Sequence, residues 1–264
     1  RKRTIAGWED SCYTKDEILR ARAAYFGLCS YMDQKIGHLL NVLETTGVAD
    51  NTIIIYTSDH GELIGEHGLW RKNSFYEQSS RVPLQITWPG TVPENTRSDS
   101  PVSLVDLTAT ILEIAGLDLA DPAYCLLDGD SLTPLLLGNS EGWKNEAFTE
   151  YEAPATDRPE AMLRLGNWKL CFGYGDPPEL ELYDLKNDPG EFSNLIGNNE
   201  YHTIENRLTE RLLQIWDPDS VQQNVVASQE ARVLIGEVTG TGKSSSGELG
   251  ELAGWTFDPN NTGI

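Results

Sequence analysis

The strongest structural signal in this chain lies in residues 53–61, which read Ile53-Ile54-Ile55-Tyr56-Thr57-Ser58-Asp59-His60-Gly61. The first five are apolar or β-branched, which is typical of a short strand covered on both faces, as in a parallel sheet. Such sheets carry their functional sites just beyond the carboxyl ends of their strands, where residues 58–61 fall. Asp59 and His60 are therefore candidate functional residues.

Residues 14–46 precede this strand and predict one long helix. Thr14 and Glu17 have the spacing of a capping box, and Gly47 suits the position after the last turn. Apolar residues recur at steps of three and four, which predicts one buried stripe made of Ile18, Ala21, Tyr25, Leu28, Met32, Ile36, Leu39 and Leu43. Because a helix, a turn and a buried strand form half of a β-α-β unit, the predicted class is α/β.

The pattern changes after this strand. We expect a polar, glycine-bearing loop with one helical turn over residues 61–81, a strand over 82–88 and a helix over 102–115. Farther on, short alternating segments predict a small antiparallel sheet, with Gly166 and Asn167 as a hairpin turn and an amphipathic helix packed on it. These segments are residues 147–151, 161–165, 168–172 and 181–185 for the strands and 204–216 for the helix.

The charge of the chain limits its partners. The net charge is −21, and residues 1–58 hold seven basic and seven acidic residues, so the excess lies after Ser58. Nucleic acids and anionic membranes need clusters of lysine and arginine, so we expect neither as a partner. No apolar run approaches the roughly 20 residues that a membrane-spanning helix requires.

Asp59 and His60 offer a carboxylate and an imidazole to one cation. The carboxylate oxygens suit Ca²⁺ or Mg²⁺, while the imidazole nitrogen also admits Mn²⁺ or Zn²⁺. Two ligands do not complete a site, so others must come from elsewhere. The alternative interpretation is a turn aspartate that caps the next segment, beside a hydrogen-bonded histidine.

Distinctive residues continue downstream of this pair. Gly65-Glu66-His67-Gly68-Leu69-Trp70-Arg71-Lys72 follows, and then come Phe75-Tyr76-Glu77 and Arg81-Val82-Pro83-Leu84. Glu181-Leu182-Tyr183-Asp184-Leu185 and Asn187-Asp188-Pro189-Gly190-Glu191 come later. In this order, the segments resemble the sulfatase family of the alkaline phosphatase superfamily.

The resemblance implies a role for three residues. Asp59 matches the metal-binding aspartate of the family's second half, and His60 matches a position held by a histidine or an asparagine ligand. Lys72 matches the lysine that contacts the bound sulfate ester and its leaving-group oxygen, so it is a catalytic and substrate-binding candidate. The implied cofactor is a divalent metal, Ca²⁺ first, with Mn²⁺ and Mg²⁺ as alternatives. We expect the neighbouring His67 to be structural.

The nucleophile that the resemblance implies has no match in this sequence. In the family it is a cysteine or serine of a C/S-x-P-x-R motif, oxidised to formylglycine, and Cys12 lacks both the proline and the arginine. The metal carboxylates of the family's first half and its upstream catalytic histidine have no match either. We therefore expect the chain to be the C-terminal portion of a longer enzyme, with these groups before Arg1, and to be inactive alone.

The resemblance also implies three regions. Residues 1–140 would form the C-terminal half of the catalytic domain, with a mixed or parallel sheet of the alkaline phosphatase type. Residues 141–217 would form a small antiparallel α+β subdomain, and residues 218–264 a tail. The compartment stays open, because a targeting segment would precede Arg1, and the cytoplasm is the default expectation.

The tail carries a narrower resemblance. Residues 216–218, 227–232 and 255–259 resemble the C-terminal extension of choline-sulfatases, which reaches a neighbouring subunit. We therefore expect a homo-oligomer formed through the tail.

The predicted function is hydrolysis of a small-molecule sulfate ester, with a divalent metal and a formylglycine nucleophile. Two alternatives stay open. One is a phosphonate monoester or phosphodiester hydrolase on the same scaffold. The other is a non-catalytic domain, either a decayed hydrolase or an assembly module that acts through its tail.

Overall fold

A computed structural model describes residues 13–122, 126–152 and 158–239. Cys12, which lacks the nucleophile motif, and the tail segment 255–259 lie outside the described residues. The helices and strands follow in chain order as α1 (Lys15–Thr45), β1 (Ile54–Thr57), β2 (Leu63–Ile64), β3 (Trp70–Arg71), α2 (Glu77–Ser80), β4 (Leu84–Thr87), α3 (Val105–Ile114), α4 (Thr133–Leu136), β5 (Glu146–Tyr151), β6 (Glu160–Leu165), β7 (Trp168–Gly173), β8 (Glu179–Asp184), α5 (His202–Ile215) and α6 (Pro218–Thr239).

The long helix α1 begins where the capping box predicts. The Thr14 hydroxyl accepts from the Glu17 N–H, and the Glu17 carboxylate accepts from the Thr14 N–H. The predicted buried stripe is wrong, since no residue of α1 is buried by the described part of the chain, and Leu28 and Leu39 remain 64% and 67% exposed. The apolar spacing identifies the face that needs covering, but burial also requires an element packed against it.

The strand β1 leads into the candidate site but does not pair as predicted. It forms an antiparallel two-stranded sheet with β4, in which Ile55 lies opposite Ile86. Tyr56 is 39% exposed, so the strand is not covered on both faces. The expectation of a parallel, fully covered strand is therefore wrong within the described residues. An apolar run predicts burial, whereas pairing direction depends on which strand lies beside it.

The segment between β1 and β4 is more ordered than the predicted loop. Strands β2 and β3 pair as a small antiparallel hairpin around a 3₁₀ turn, Glu66–Gly68. The predicted helical turn is α2. The hairpin returns the chain toward the end of β1, so Lys72 follows β3 directly.

The C-terminal sheet matches its prediction closely. Strands β5 to β8 form an antiparallel sheet in sequence order, and Gly166 and Asn167 connect β6 to β7, with Leu165 opposite Trp168. Gly166 has a φ of +59°, as the tight hairpin turn requires. This sheet and the helices confirm the predicted α/β class with a small antiparallel unit. The division at residues 140 and 217 stays a prediction.

Both faces of this sheet are buried. One face packs on α5 in a cluster made of Ala161, Leu163, Leu170, Phe172, Leu182, Leu208, Leu212 and Trp216. Burying each leucine contributes about 1.5–3 kcal/mol. Met162 and Cys171 on the other face contact Phe75. Since Phe75 lies between Lys72 and α2, the second face of the sheet supports the candidate site.

The helix α6 follows α5 after Trp216 and Asp217. The Tyr174 hydroxyl donates to Asp219, 2.9 Å away, which ties the start of α6 to the residue after β7. Farther along α6, Val233, Leu234 and Ile235 are 53–60% exposed. Of the helices described, none has the length and hydropathy needed to cross a membrane.

Candidate active site

Asp59 and His60 lie two and three residues after the end of β1. The Ser58 hydroxyl donates to the His60 carbonyl oxygen at 2.8 Å, and the His60 N–H donates to Asp59 Oδ1 at 3.0 Å. These local bonds fold the chain into a tight turn. They leave the Asp59 side chain 83% exposed and the His60 side chain 34% exposed.

The hydrogen bonds of His60 decide which ring nitrogen carries a lone pair. Nδ1 lies 2.8 Å from the Gly61 carbonyl oxygen. Because a carbonyl only accepts, Nδ1 carries the hydrogen in the neutral ring, and Nε2 keeps its lone pair. Nε2 is 3.5 Å from Asp59 Oδ2 and 2.5 Å from Lys72 Nζ. The structure thus brings together the three residues that the sequence singled out.

The Asp59 carboxyl stays an anion more readily than an ordinary aspartate. Desolvation alone would raise its pKa, but interactions with His60, backbone N–H groups and the charge of Lys72 together lower the pKa of Asp59 below its usual value. An ionised carboxylate beside an imidazole lone pair is a pair of cation ligands.

The geometry of Asp59 and His60 fits two ligands of a single divalent cation. Ligands that each lie about 2.0–2.5 Å from one ion stand roughly 3–3.5 Å apart, and Nε2 and Oδ2 are 3.5 Å apart. Among the residues described, no cluster of three or more His, Cys, Asp or Glu side chains could hold a metal ion. The pair therefore fits part of a metal site, and further ligands would come from outside the described residues.

Ser79 in α2 fastens both parts of the site, which the sequence did not predict. The Gly61 N–H donates to the Ser79 carbonyl oxygen at 2.7 Å, and the Ser79 hydroxyl donates to the Lys72 carbonyl oxygen. The contact with α2 is so close that a Cβ on Gly61 would lie 2.1 Å from the Gln78 carbonyl oxygen. Only glycine fits this approach.

A buried ion cluster holds α2 in turn. The Glu77 carboxylate lies 3.0 Å from Lys169 Nζ and 3.3 Å from an Arg164 guanidinium nitrogen. The Glu77 N–H donates to Glu191 Oε2 at 2.6 Å, and Glu191 Oε1 is 2.7 Å from Lys169 Nζ. The side chains of Lys169 and Glu191 are wholly buried.

Sequence reasoning missed this cluster, although one signal was present. Lys169 stands inside the apolar segment 168–172, and a lysine there must find a buried anion once the strand is covered. Glu191, in the segment 187–191 that resembles the sulfatase family, is one of those anions. The partners come from distant segments, so the local pattern did not reveal them.

His67 does not join Asp59, His60 and Lys72 in the described contacts. Its ring stacks on Tyr76 with centroids 3.7 Å apart and planes 2° apart, and Phe192 lies 5.3 Å away. With a φ of 54°, His67 adopts the left-handed backbone conformation within the 3₁₀ turn. These contacts tie the hairpin to the start of α2.

Two family profiles match the chain. The family described as "N-sulphoglucosamine sulphohydrolase, C-terminal" matches residues 65–217, more than half of the chain. The family described as "Sulfatase" matches residues 3–117. This chain belongs to the sulfatase family. The predicted membership of the alkaline phosphatase superfamily is confirmed with it.

Known sulfatases and a related hydrolase are similar over most of this sulfatase chain. The choline-sulfatase of Rhizobium meliloti (strain 1021) is 35% identical, over 87% of this chain and 44% of its own length. A solved structure described as BT4656 in complex with its substrate D-glucosamine-2-N,6-O-disulfate is 35% identical, with a TM-score of 0.64 over 71% of this chain and 40% of that one. The phosphonate monoester hydrolase of Agrobacterium radiobacter is 28% identical, with a TM-score of 0.66 over 76% and 42%. The sulfatase chain thus spans fewer than half of the residues of each.

Proposed function

We propose that the complete protein hydrolyses sulfate esters and that Asp59, His60 and Lys72 belong to its active site. The observation that carries the proposal is the approach of Lys72 Nζ to 2.5 Å from His60 Nε2, beside the Asp59 carboxylate. This places a fixed positive charge next to two cation ligands in a chain of the sulfatase family. Sulfate esters carry the negative charge that such a site would bind.

Each residue has a distinct role in this proposal. Asp59 and His60 hold a divalent cation, for which Ca²⁺ is the first choice and Mn²⁺ and Mg²⁺ are alternatives. The bound cation supplies Lewis-acid polarisation of the ester oxygens. The Lys72 ammonium, which lies 2.5 Å from His60 Nε2, would donate to an ester oxygen of the bound substrate. The nucleophile in this proposal is a formylglycine outside this chain.

The main test compares Lys72→Ala with Lys186→Ala in the complete gene product. Lys186 is an exposed lysine after β8, so it serves as the matched control. Removing a donor to the developing negative charge lowers kcat about 10²–10³-fold, and we expect that loss for Lys72→Ala alone, measured as turnover of an aryl sulfate. If Lys72→Ala keeps wild-type turnover, Lys72 is not a catalytic residue.

The metal ligands have a separate test. Chelation should abolish turnover, and adding Ca²⁺, Mn²⁺ or Mg²⁺ singly identifies the cation that restores it. Asp59→Ala and His60→Ala should raise the cation concentration needed for half-maximal binding, measured by isothermal titration, since each removes one ligand. Unchanged cation affinity in both variants would contradict the assignment.

The alternative activity is hydrolysis of a phosphonate monoester, which the similarity to the Agrobacterium radiobacter enzyme supports. An aryl sulfate, an aryl phosphonate monoester and a phosphodiester with the same leaving group separate the two activities by kcat/KM. Choline sulfate and sulfated glucosamine belong in the same assay, because the relatives act on or are named for such esters. The absence of turnover on all of these would favour a non-catalytic domain.

A further inference from the structure

The short helix α2 contacts both parts of the candidate site through one residue. Ser79 is 3% exposed, and its carbonyl accepts from the Gly61 N–H while its hydroxyl donates to the Lys72 carbonyl. Gly61 adjoins His60, so the metal-ligand turn and the lysine backbone share one anchor. Any shift of α2 moves both together.

The position of α2 is fixed by charge. Glu77 at its start faces the cations Lys169 and Arg164, and its own N–H donates to the carboxylate of Glu191. The cluster holds two anions and two cations, so it is balanced. With Lys169 and Glu191 wholly buried, no water replaces a lost partner.

Buried ion pairs are weak evidence for stability, but they define position sharply. Their attraction barely offsets the cost of removing both charges from water, whereas a displaced partner leaves a buried charge unpaired. The cluster therefore makes one placement of α2 much better than its neighbours. That placement is the one in which Ser79 reaches both Gly61 and Lys72.

We propose that Glu77 and Ser79 are positioning residues that set the Lys72 ammonium against the substrate's leaving-group oxygen. The proposal rests on the proposed function of Lys72. Glu77 acts through α2, with Lys169 and Glu191 as its buried partners, and Ser79 transmits the position. In the described contacts, both residues bond to protein groups.

The first test measures kinetics of Glu77→Gln and Ser79→Ala in the complete protein. The matched control is Glu146→Gln. It breaks an ion pair between Glu146 in β5 and Arg211 in α5, in which two guanidinium nitrogens lie 2.7 and 2.8 Å from the carboxylate oxygens. We expect kcat to fall about 10–100-fold in the test variants, as for an ångström-scale misplacement, with KM nearly unchanged and the control near wild type. The loss of kcat should be greater for an alkyl sulfate than for a nitrophenyl sulfate. Nitrophenolate is a stable anion, so it leaves with little charge stabilisation by Lys72.

The second test separates positioning from a general structural role. Ser79→Ala, which removes only the hydroxyl that bonds the Lys72 carbonyl, is combined with Lys72→Ala. If Ser79 acts through Lys72, its loss should lower kcat by no more than about twofold in that background, whereas Glu77→Gln, which also displaces the Gly61 turn, should still lower it. An equal loss from Ser79→Ala in both backgrounds would overturn the proposal. Should Glu77→Gln fail to fold, Ser79→Ala removes a single hydroxyl and still decides the comparison.

A third measurement does not depend on turnover. Amide hydrogen exchange followed by mass spectrometry should show faster exchange of residues 58–61 and 72–76 in Glu77→Gln than in Glu146→Gln. Unchanged exchange would overturn the positioning by Glu77 even in an active enzyme. If the wild-type protein hydrolyses no sulfate ester, the proposed function fails, while the exchange result still shows whether Glu77 holds these segments.

Discussion

Gly61, directly after His60, is the residue through which the candidate site contacts α2. Its N–H bonds to Ser79, and the same approach leaves no room for a Cβ beside the Gln78 carbonyl. A methyl group there must push the turn that holds Asp59 and His60 away from α2. Glycine is thus required by a contact between two backbone segments rather than by an unusual φ.

Gly61→Ala should therefore disable the enzyme. We expect turnover of an aryl sulfate to fall at least about 100-fold, because Asp59 and His60 shift together. The control is Gly37→Ala on α1, where no described atom lies within 4 Å of the added Cβ, and where alanine favours a helix by about 0.5–1 kcal/mol. Equal turnover in the two variants would show that the close approach does not matter.

At the level of elements, α5 packs apolar side chains against the C-terminal sheet. Leu208 and Leu212 are wholly buried against that sheet, while Leu213, the next residue, is 46% exposed. Because Leu212 is buried and Leu213 is exposed, substituting each in turn tests how this helix packs.

Leu212→Ala should destabilise the sheet by about 2–5 kcal/mol, since it leaves a cavity in a closed core. Leu213→Ala should change stability by only about 0.5 kcal/mol or less. The measurement is the free energy of opening from native-state amide exchange of β6 and β7 in urea. A similar cost for both substitutions would mean that α5 does not pack as described.

Elements whose determinants are local were predictable from the sequence. The capping box located the start of α1, and alternation with a glycine–asparagine turn located β6 and β7 to within one residue. The pairing of β1 and the exposure of α1 were not predictable, because they depend on which other elements lie alongside. Periodicity identifies the apolar face of an element but not the element that packs against it.

The candidate site divides in the same way. Asp59, His60 and Lys72 stand in one short stretch with a recognisable order, and the structure brings the three together. Glu77 pairs with residues 92 and 114 positions away, and such pairings leave no periodic trace in the sequence. The supporting residues therefore emerged only with the fold.

For the molecule as a whole, the exposed apolar residues of α6 support the proposal of a homo-oligomer formed through the tail. Val226, Val233 and Leu234 are 40%, 53% and 60% exposed. Opposing this, the net charge of −21 makes copies repel one another. Association should therefore strengthen as salt screens the charge.

Leu234→Lys should shift the complete protein toward a smaller species in light scattering, since it places a charge on the apolar face of α6. Ser228→Lys adds the same charge at another exposed position of that helix and should leave the mass unchanged. The shift should be largest in high salt, where the wild type associates most strongly. If the wild type is monomeric at every salt concentration, the tail does not mediate self-association.

The shared anchor at Ser79 also bears on how this scaffold can diversify. Both ends of the β2–β3 hairpin are fastened to α2, through Gly61 before it and Lys72 after it. Changes in residues 62–71 that keep the buried Leu63 and the stacking of His67 on Tyr76 can therefore leave the two fastened ends in register. Under the proposed function, Asp59, His60 and Lys72 lie at these two ends. The hairpin between them can then diversify while the groups that carry the chemistry keep their positions.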